Sequence, residues 1–253
     1  MNAENRQIAI YEMIKSNKEM SVVALAQCFG VSAMTIRRDL DQLERSKLIE
    51  RAYGKALIAD ESKIELSYSM RKSMNLASKQ KIALLAAKFI SERDIRTIYA
   101  DGSSTVMEVL KVLPPNRSLT VFTNSIVAMN LLLPKTWIDT FVIGGFLNRE
   151  VSSMDDITSA DLCKQIYVDA TFTSCSDISV DGMFNSGTTG TEIRRIMMKN
   201  SQHNYLLADH SKFNSRGIFL LNTWDKVDTL ITDEKPDAAF INALRRYGVS
   251  IVW

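Results

Sequence analysis

The sequence predicts a small α+β module followed by a larger α/β domain whose sheet is mainly parallel and covered by helices on both faces. Three observations carry this prediction. Residues 21–48 read as two short helices separated by Gly30-Val31, residues 49–58 read as two short strands around a glycine turn, and strand and helix patterns alternate from Ser78 onward. At 253 residues the chain can hold one large or two ordinary domains, and its 46% hydrophobic content is that of a globular protein.

Residues 5–18 form an amphipathic stripe on Ile8, Tyr11 and Ile14, which predicts a supporting first helix. Ser21 stands where an N-cap belongs, and Val22, Leu25, Ala26 and Phe29 follow at helical spacing. Gly30 supplies the turn, and Ser32 is a second N-cap candidate. The next helix carries Ile36, Leu40 and Leu43 on one face, with Thr35, Arg37 and Arg38 on the others. A helix, a glycine turn and a second helix opening on small residues and two arginines is the helix-turn-helix pattern. There the start of the second helix enters the major groove and arginine pairs bidentately with guanine. The alternative is a plain helical hairpin with solvated arginines. Residues 49–58, two strands around Gly54, add a wing, so the candidate DNA contacts are Ser32, Met34, Thr35, Arg37, Arg38, Arg51, Tyr53 and Lys55. Net charge is only +2, so binding to double-stranded operator DNA has to rest on this local surface.

The module closes at about residue 59, residues 60–77 read as a charged linker with some helix, and 78–253 form the second domain. Strands are expected at 97–100, 119–123, 140–143, 170–174, 204–208, 229–232 and 250–253. Helices are expected at 79–91, 106–113, 125–133, 161–165, 192–200 and 238–247. Ligands of open α/β sheets bind at the carboxyl ends of strands, and four loops there are rich in small polar residues. They are Asp101-Gly102-Ser103-Ser104-Thr105, Thr123-Asn124-Ser125, Gly144-Gly145, and 208–213 with Lys212. The first suits an anion at a helix start or simple N-capping, and it is not a Walker loop. Lys212 suits a phosphate or a charged surface turn.

The N-terminal stretch TIRRDLDQLERSKLIERAYGKALI resembles the signature of the DeoR family of bacterial repressors. Here Tyr53 and Lys55 replace the usual histidine and second glycine of the wing. The later run GSST, TNS, GG, Asp169-Ala-Thr-Phe172, Ser186-Gly187-Thr-Thr-Gly190-Thr-Glu192, DHSKF and Ile231-Thr-Asp233 is similar to that family's effector domain in order and spacing. The departures are Ser103-Ser104 for two threonines, and Asp155-Asp156 where an S-x-x-G is usual. The resemblance implies a repressor with a domain like ribose-5-phosphate isomerase that binds a phosphorylated sugar. The implied effector contacts are Asp101, Gly102, Ser103, Ser104, Thr105, Thr123, Asn124, Ser125, Gly144, Gly145, Asp169, Glu192 and Lys212, and the implied assembly is a homodimer or homotetramer.

The rival is an aldose–ketose isomerase, which needs a carboxylate base and an acid for the enediolate. Glu192 takes the place of the isomerase base and Asp169 that of one aspartate. Phe172 and residues 182–185 stand where a further aspartate and a lysine belong, which favours binding without turnover. A third possibility is an architectural DNA-binding protein with a degenerate effector domain.

No basic-then-apolar leader opens the chain, and the longest apolar run, near 82–90, is too short to span a membrane, so a cytoplasmic protein without membrane partners is expected. Cys28, Cys163 and Cys175 form no C-x-x-C pair and read as buried small hydrophobes. With two histidines, neither a metal site nor a cofactor is expected.

Overall fold

The computed structural model describes residues 2–46, 48–52, 54–59, 68–115, 118–149, 151–188 and 190–253. The chain divides into two compact units, Met1–Met74 and Asn75–Trp253.

The first unit comprises α1 (Ala3–Asn17), β1 (Glu19–Ser21), α2 (Val22–Phe29), α3 (Ala33–Arg45), β2 (Ile49–Ala52), β3 (Lys55–Ile58) and α4 (Tyr68–Ser73). Its three antiparallel strands lie in the order β1-β3-β2, so the expected hairpin gains a third strand from residues just before α2. Ile10, Ile14, Leu25, Ile36 and Leu40 are fully buried and pack the three helices together. Gly30 ends α2 in a left-handed conformation (φ 62°), and its N–H reaches the Ala26 and Gln27 carbonyls. Residues 68–74, read from sequence as linker, are mostly helix and belong to this unit through the buried Met70. The rest of that linker, 60–67, and Tyr53 lie outside the described residues. Cys28 is exposed on α2, not buried as expected, because it falls outside the stripe formed by Val22, Leu25, Ala26 and Phe29; Cys163 and Cys175 are buried.

The second unit begins with α5 (Leu76–Glu92), β4 (Thr97–Ala100), α6 (Ser104–Val112), β5 (Leu119–Thr123), α7 (Ile126–Leu132), β6 (Ile138–Val142), β7 (Leu147–Asn148) and β8 (Ser153–Met154). It continues with α8 (Ile157–Cys163), β9 (Val168–Thr173), β10 (Asp177–Ser179), β11 (Gly182–Asn185), α9 (Thr191–Lys199), β12 (Ser201–Leu207), β13 (Phe219–Asn222), β14 (Thr229–Ile231), α10 (Ala238–Arg245) and β15 (Ser250–Val252). Seven strands form one sheet, β15-β14-β12-β9-β4-β5-β6, and every pair in it is parallel. This is the expected architecture: an α+β module and a parallel α/β domain.

Buried Ile98, Ala170, Phe172 and Tyr205 fill the middle of the sheet, where Phe172 and Tyr205 stack at 4.7 Å. After β6 the chain returns to add β9 on the far side of β4, so strand order reverses between β4 and β9. Their carboxyl ends therefore flank a crevice.

Three features differ from the sequence reading. Helix α8 starts at Ile157, capped by Asp156, which accepts the Ser159 N–H at 2.9 Å. Ser104 and Thr105 are already helical. A second sheet, β10-β11-β13, comes from residues read as loop. Its hairpin brings Ile178, Met183 and Leu221 onto the buried Trp224, a pairing that no local signal announces.

Candidate functional site

In the first unit, Ser32 caps α3 by accepting the Thr35 N–H at 3.1 Å, and the Ser32 and Thr35 hydroxyls lie 3.0 Å apart. Burial of Ile36, Leu40 and Leu43 turns Met34, Arg37 and Arg38 outward, with Met34 56% exposed. Asp39 sits on the inner face. It accepts Arg6 Nε at 2.6 Å, Arg6 Nη2 at 3.3 Å and Gln7 Nε2 at 3.2 Å, which fixes α3 against α1. Arg37 and Arg38 make no hydrogen bond or ion pair among the described residues. The hairpin cations differ: Arg51 pairs with Asp41, and Lys55 pairs with Glu19 at 2.6 Å. The four side chains are 30–49% exposed, so each pair is weak and a phosphate can displace its carboxylate.

In the second unit, the crevice between β4 and β9 is held by Asp101, which is 2% exposed. Its Oδ1 accepts the Ser103 N–H at 2.8 Å, and its Oδ2 accepts the Thr173 hydroxyl at 2.6 Å and the Ser174 N–H at 3.2 Å. Ser103 caps α6 by accepting the Val106 N–H at 3.3 Å. The N–H groups of Ser104 and Thr105 have no partner among the described residues, and the Thr105 hydroxyl is buried without one. Gly102 lies against Ser125, where a Cβ would sit 3.5 Å from the serine side chain, so the first two loops touch.

The Thr123-Asn124-Ser125 side chains are spent on architecture. Thr123 donates to the Ala100 carbonyl at 2.8 Å, Asn124 joins the Tyr99 hydroxyl at 3.0 Å to the Met154 carbonyl at 2.9 Å, and Ser125 caps α7. Burial, with Asp101 nearby, pushes the Tyr99 hydroxyl well above its ordinary range, so it stays a neutral donor to Asn124. Gly144 and Gly145 follow β6. The Gly144 carbonyl accepts the Ser159 hydroxyl at 2.6 Å, and Gly145 (φ +156°) has no room for a Cβ.

Lys212 reaches the crevice from the loop after β12. Its Nζ donates to Ser174 Oγ at 2.9 Å and the Cys175 carbonyl at 2.7 Å. Beside it, Arg194 donates to the Ser174 carbonyl at 3.2 Å and Asn185 Oδ1 at 3.4 Å, and lies 3.9 Å from Asp101. Asp155 accepts the Gly190 N–H. Burial raises its carboxyl pKa, partly opposed by that N–H and by Arg194. Burial pushes the Cys175 thiol up to about 12, which keeps it an uncharged wall.

Two predicted contacts are not part of this cluster. Asp169 lies at the opposite end of the sheet, where it accepts the Arg96 and Thr97 N–H groups, each at 2.8 Å. Burial pushes its carboxyl up, but those N–H groups outweigh it and hold the pKa below the usual range. Glu192 points out from α9, 66% exposed, with Arg195 at 3.9 Å. Its helical repeat explains this: positions 192, 195 and 199 share the outer face, whereas Arg194 borders the buried Ile193, Met197 and Met198. Arg194 and Ser174 are the crevice residues that sequence reasoning missed. The helical wheel of α9 held a signal for Arg194, and nothing local held one for Ser174. The cluster His210–Asp233–Glu234 brings three possible metal-ligand atoms within 4.8 Å, but His210 Nδ1 is engaged with Asp233 Oδ2 at 2.7 Å.

Residues 74–234 match the family model of the DeoR C terminal sensor domain, and residues 6–62 match the DeoR-like helix-turn-helix domain. The chain is 31% identical to the uncharacterized HTH-type transcriptional regulator YulB of Bacillus subtilis, over 99% of this chain and 96% of that one. It is 30% identical to the HTH-type transcriptional repressor GlcR of the same organism, over 100% and 96%. Ribose 5 phosphate isomerase A from Neisseria gonorrhoeae aligns with 55% of this chain and 53% of its own, at 16% identity and a TM-score of 0.40, too low to argue from. Among the described residues no helix is long and apolar enough to cross a membrane.

Proposed function

The chain belongs to the DeoR family of transcriptional regulators, and from that premise we propose that it represses a carbohydrate-utilisation operon and is released from its operator by a phosphorylated sugar held in the C-terminal crevice. It is a DNA-binding regulator, not an enzyme. Repression is supported by the name of the GlcR relative. The phosphorylated effector is supported by one observation above all. Lys212 and Arg194 both bond Ser174, whose N–H bonds Asp101 at the strand-order reversal, and Asp101 opens the loop into α6, where the Ser104 and Thr105 N–H groups and the buried Thr105 hydroxyl have no partner among the described residues.

Lys212 has neutral partners that an anion can replace, Arg194 lies beside it with Asp101 at 3.9 Å, and the half-buried Asp155 offers an acceptor to sugar hydroxyls. Arg37 and Arg38, with Ser32, Met34 and Thr35, are the base-reading surface, and Arg51 and Lys55 serve the backbone phosphates, a role that the sequence also gives to Tyr53. Release requires tighter ligand binding to the DNA-free arrangement, and by linkage DNA weakens ligand binding by the same factor. A homodimer or homotetramer matches the symmetry of operators of this kind.

The test is a thermal-shift panel on the full-length chain with sugar phosphates and their unphosphorylated parents. A ligand of the folded state raises the midpoint by mass action. One phosphorylated sugar should raise it and its parent should not. A flat panel, or equal shifts with both, rejects the phosphate reading.

A further inference from the structure

The loop that carries Lys212 into the crevice is also bonded to the first residue of the second unit. Asn75 stands in the break between α4 and α5 in a left-handed conformation (φ 50°, ψ 38°), at the N-cap position of α5. Asparagine caps helices well, yet this side chain caps nothing. Its Nδ2 instead donates to Asp209 Oδ1 at 3.1 Å and Ser211 Oγ at 2.8 Å. Asp209 is 1% exposed and also accepts the Ser211 N–H at 3.2 Å and the Ser211 hydroxyl at 2.5 Å.

The turn from Asp209 to Phe213 closes on itself through Lys212 N–H to the Asp209 carbonyl at 3.1 Å and Phe213 N–H to the His210 carbonyl at 3.4 Å. These bonds tie the backbone of Lys212 to that of Asp209 in one hydrogen-bonded body, and His210 fastens it to Asp233 through its N–H at 2.8 Å and its Nδ1 at 2.7 Å. One end of the body rests on Ser174 and Cys175 in the crevice, and the other rests on Asn75. Asn75 sits where the chain passes from α4 into α5, so the direction in which the first unit leaves depends on its backbone angles.

We propose that the 209–212 turn is the coupling element of the regulator: an anion that draws Lys212 from Ser174 and the Cys175 carbonyl tilts the turn and breaks the Asn75 hydrogen bonds. Without them Asn75 relaxes from the left-handed region toward the extended one, which re-aims α4 and the DNA-binding unit. The proposal rests on the sensing role assigned to the crevice and adds the route by which occupancy reaches the DNA-binding unit. Asn75 is a positioning residue in this scheme and touches neither ligand nor DNA.

Two arms on the full-length chain test it. The first needs no ligand. Lys212→Met removes the ammonium and keeps the stem, and amide hydrogen exchange should rise several-fold at the first turn of α5 while α10 keeps its protection. In an Asn75→Gly background, which tolerates the left-handed angles but lacks the amide, Lys212→Met should add nothing further. Unchanged exchange at the start of α5 in Lys212→Met overturns the proposal.

The second arm uses a duplex selected by the chain from a random pool, with ribose 5-phosphate, glucose 6-phosphate and inorganic phosphate as probes. A responding probe should weaken wild-type DNA binding by roughly 5–150-fold. Asn75→Gly, which lacks the Asn75 side-chain hydrogen bonds with or without probe, should weaken probe-free DNA binding toward the level of the probe-saturated wild type and so bring that ratio close to one. A wild-type ratio in Asn75→Gly refutes the relay. If no probe acts on the wild type, the sensing role fails, and the exchange arm still decides whether the turn couples to Asn75.

Discussion

Replacing Asp101 by asparagine should destabilise the second unit by about 1–3 kcal/mol, the cost of one stranded buried donor. The carboxylate serves donors on both oxygens: Ser103 N–H on Oδ1, and the Thr173 hydroxyl with Ser174 N–H on Oδ2. Asparagine has one carbonyl oxygen, so its NH₂ must face a backbone N–H in either flip. If the oxygen keeps the Oδ2 place, Ser103 N–H is opposed; if it takes the Oδ1 place, Ser174 N–H is opposed, although the Thr173 hydroxyl can rotate and accept. Arg194 at 3.9 Å loses its nearby negative charge in both cases. The three tryptophans, Trp137, Trp224 and Trp253, all belong to the second unit, so their fluorescence follows that unit alone in urea. With a slope of ~2 kcal/mol/M, the midpoint should fall by roughly 0.5–1.5 M at constant slope. An unchanged midpoint would refute the bridging role of Asp101.

Arg37→Ala and Arg38→Ala should each weaken operator binding by about 1–3 kcal/mol if the side chain reads a base, measured by fluorescence anisotropy; full affinity in both would remove α3 as the reading helix. Gly145→Ala places a Cβ 2.1 Å from Ser159 Oγ and 2.6 Å from Asp156 Oδ2 at φ +156°, so its thermal midpoint should drop by an amount matching about 1–3 kcal/mol of strain. Gly144→Ala, with nothing within 4 Å of the new Cβ, is the control and should be near neutral. The hydrogen bond to Asp233 raises the His210 pKa above its ordinary 6.5, partly opposed by burial, with Glu234 and Asp209 adding to the rise. That contribution is full below the unfolded value and is lost as pH rises through the folded one, while Asp233, held low by Ser78 and His210 against its burial, stays charged. His210→Gln should therefore lower the melting temperature more at about pH 5.5 than at about pH 9, and an equal loss at both would refute the charged pair.

What the sequence made legible was local chemistry. Ser21 and Ser32 each cap the helix that follows them, because capping needs only a side-chain oxygen within three residues of an open N–H. The parallel sheet was legible because apolar runs alternate with amphipathic ones. What was not legible depends on where a helix is rotated or where a strand finds its partner. Arg194 and Glu192 are two residues apart, and only the packing of Ile193 and Met197 decides that the arginine borders the crevice and the glutamate faces outward. Asp169 enters the candidate contacts only through the resemblance of Asp169-Ala-Thr-Phe172 to a family segment, but it sits at the start of β9 and the crevice is at its end. At ~3.3 Å per residue, the five residues to Ser174 put it some ~16 Å away.

The same displacement explains why this crevice is ill suited to isomerisation. Moving a proton between adjacent carbons needs a carboxylate that is free to approach the substrate and to change protonation state. Asp101 is saturated by its donors and buried, Asp155 is held by the Gly190 N–H, and the two carboxylates that resemble the isomerase pair face the wrong way or lie at the wrong end of the sheet. Lys212 is bonded to a neutral hydroxyl and a neutral carbonyl and has no ion pair among the described residues, whereas Arg194 lies 3.9 Å from Asp101. The ammonium of Lys212 belongs to the same turn that is bonded to Asn75.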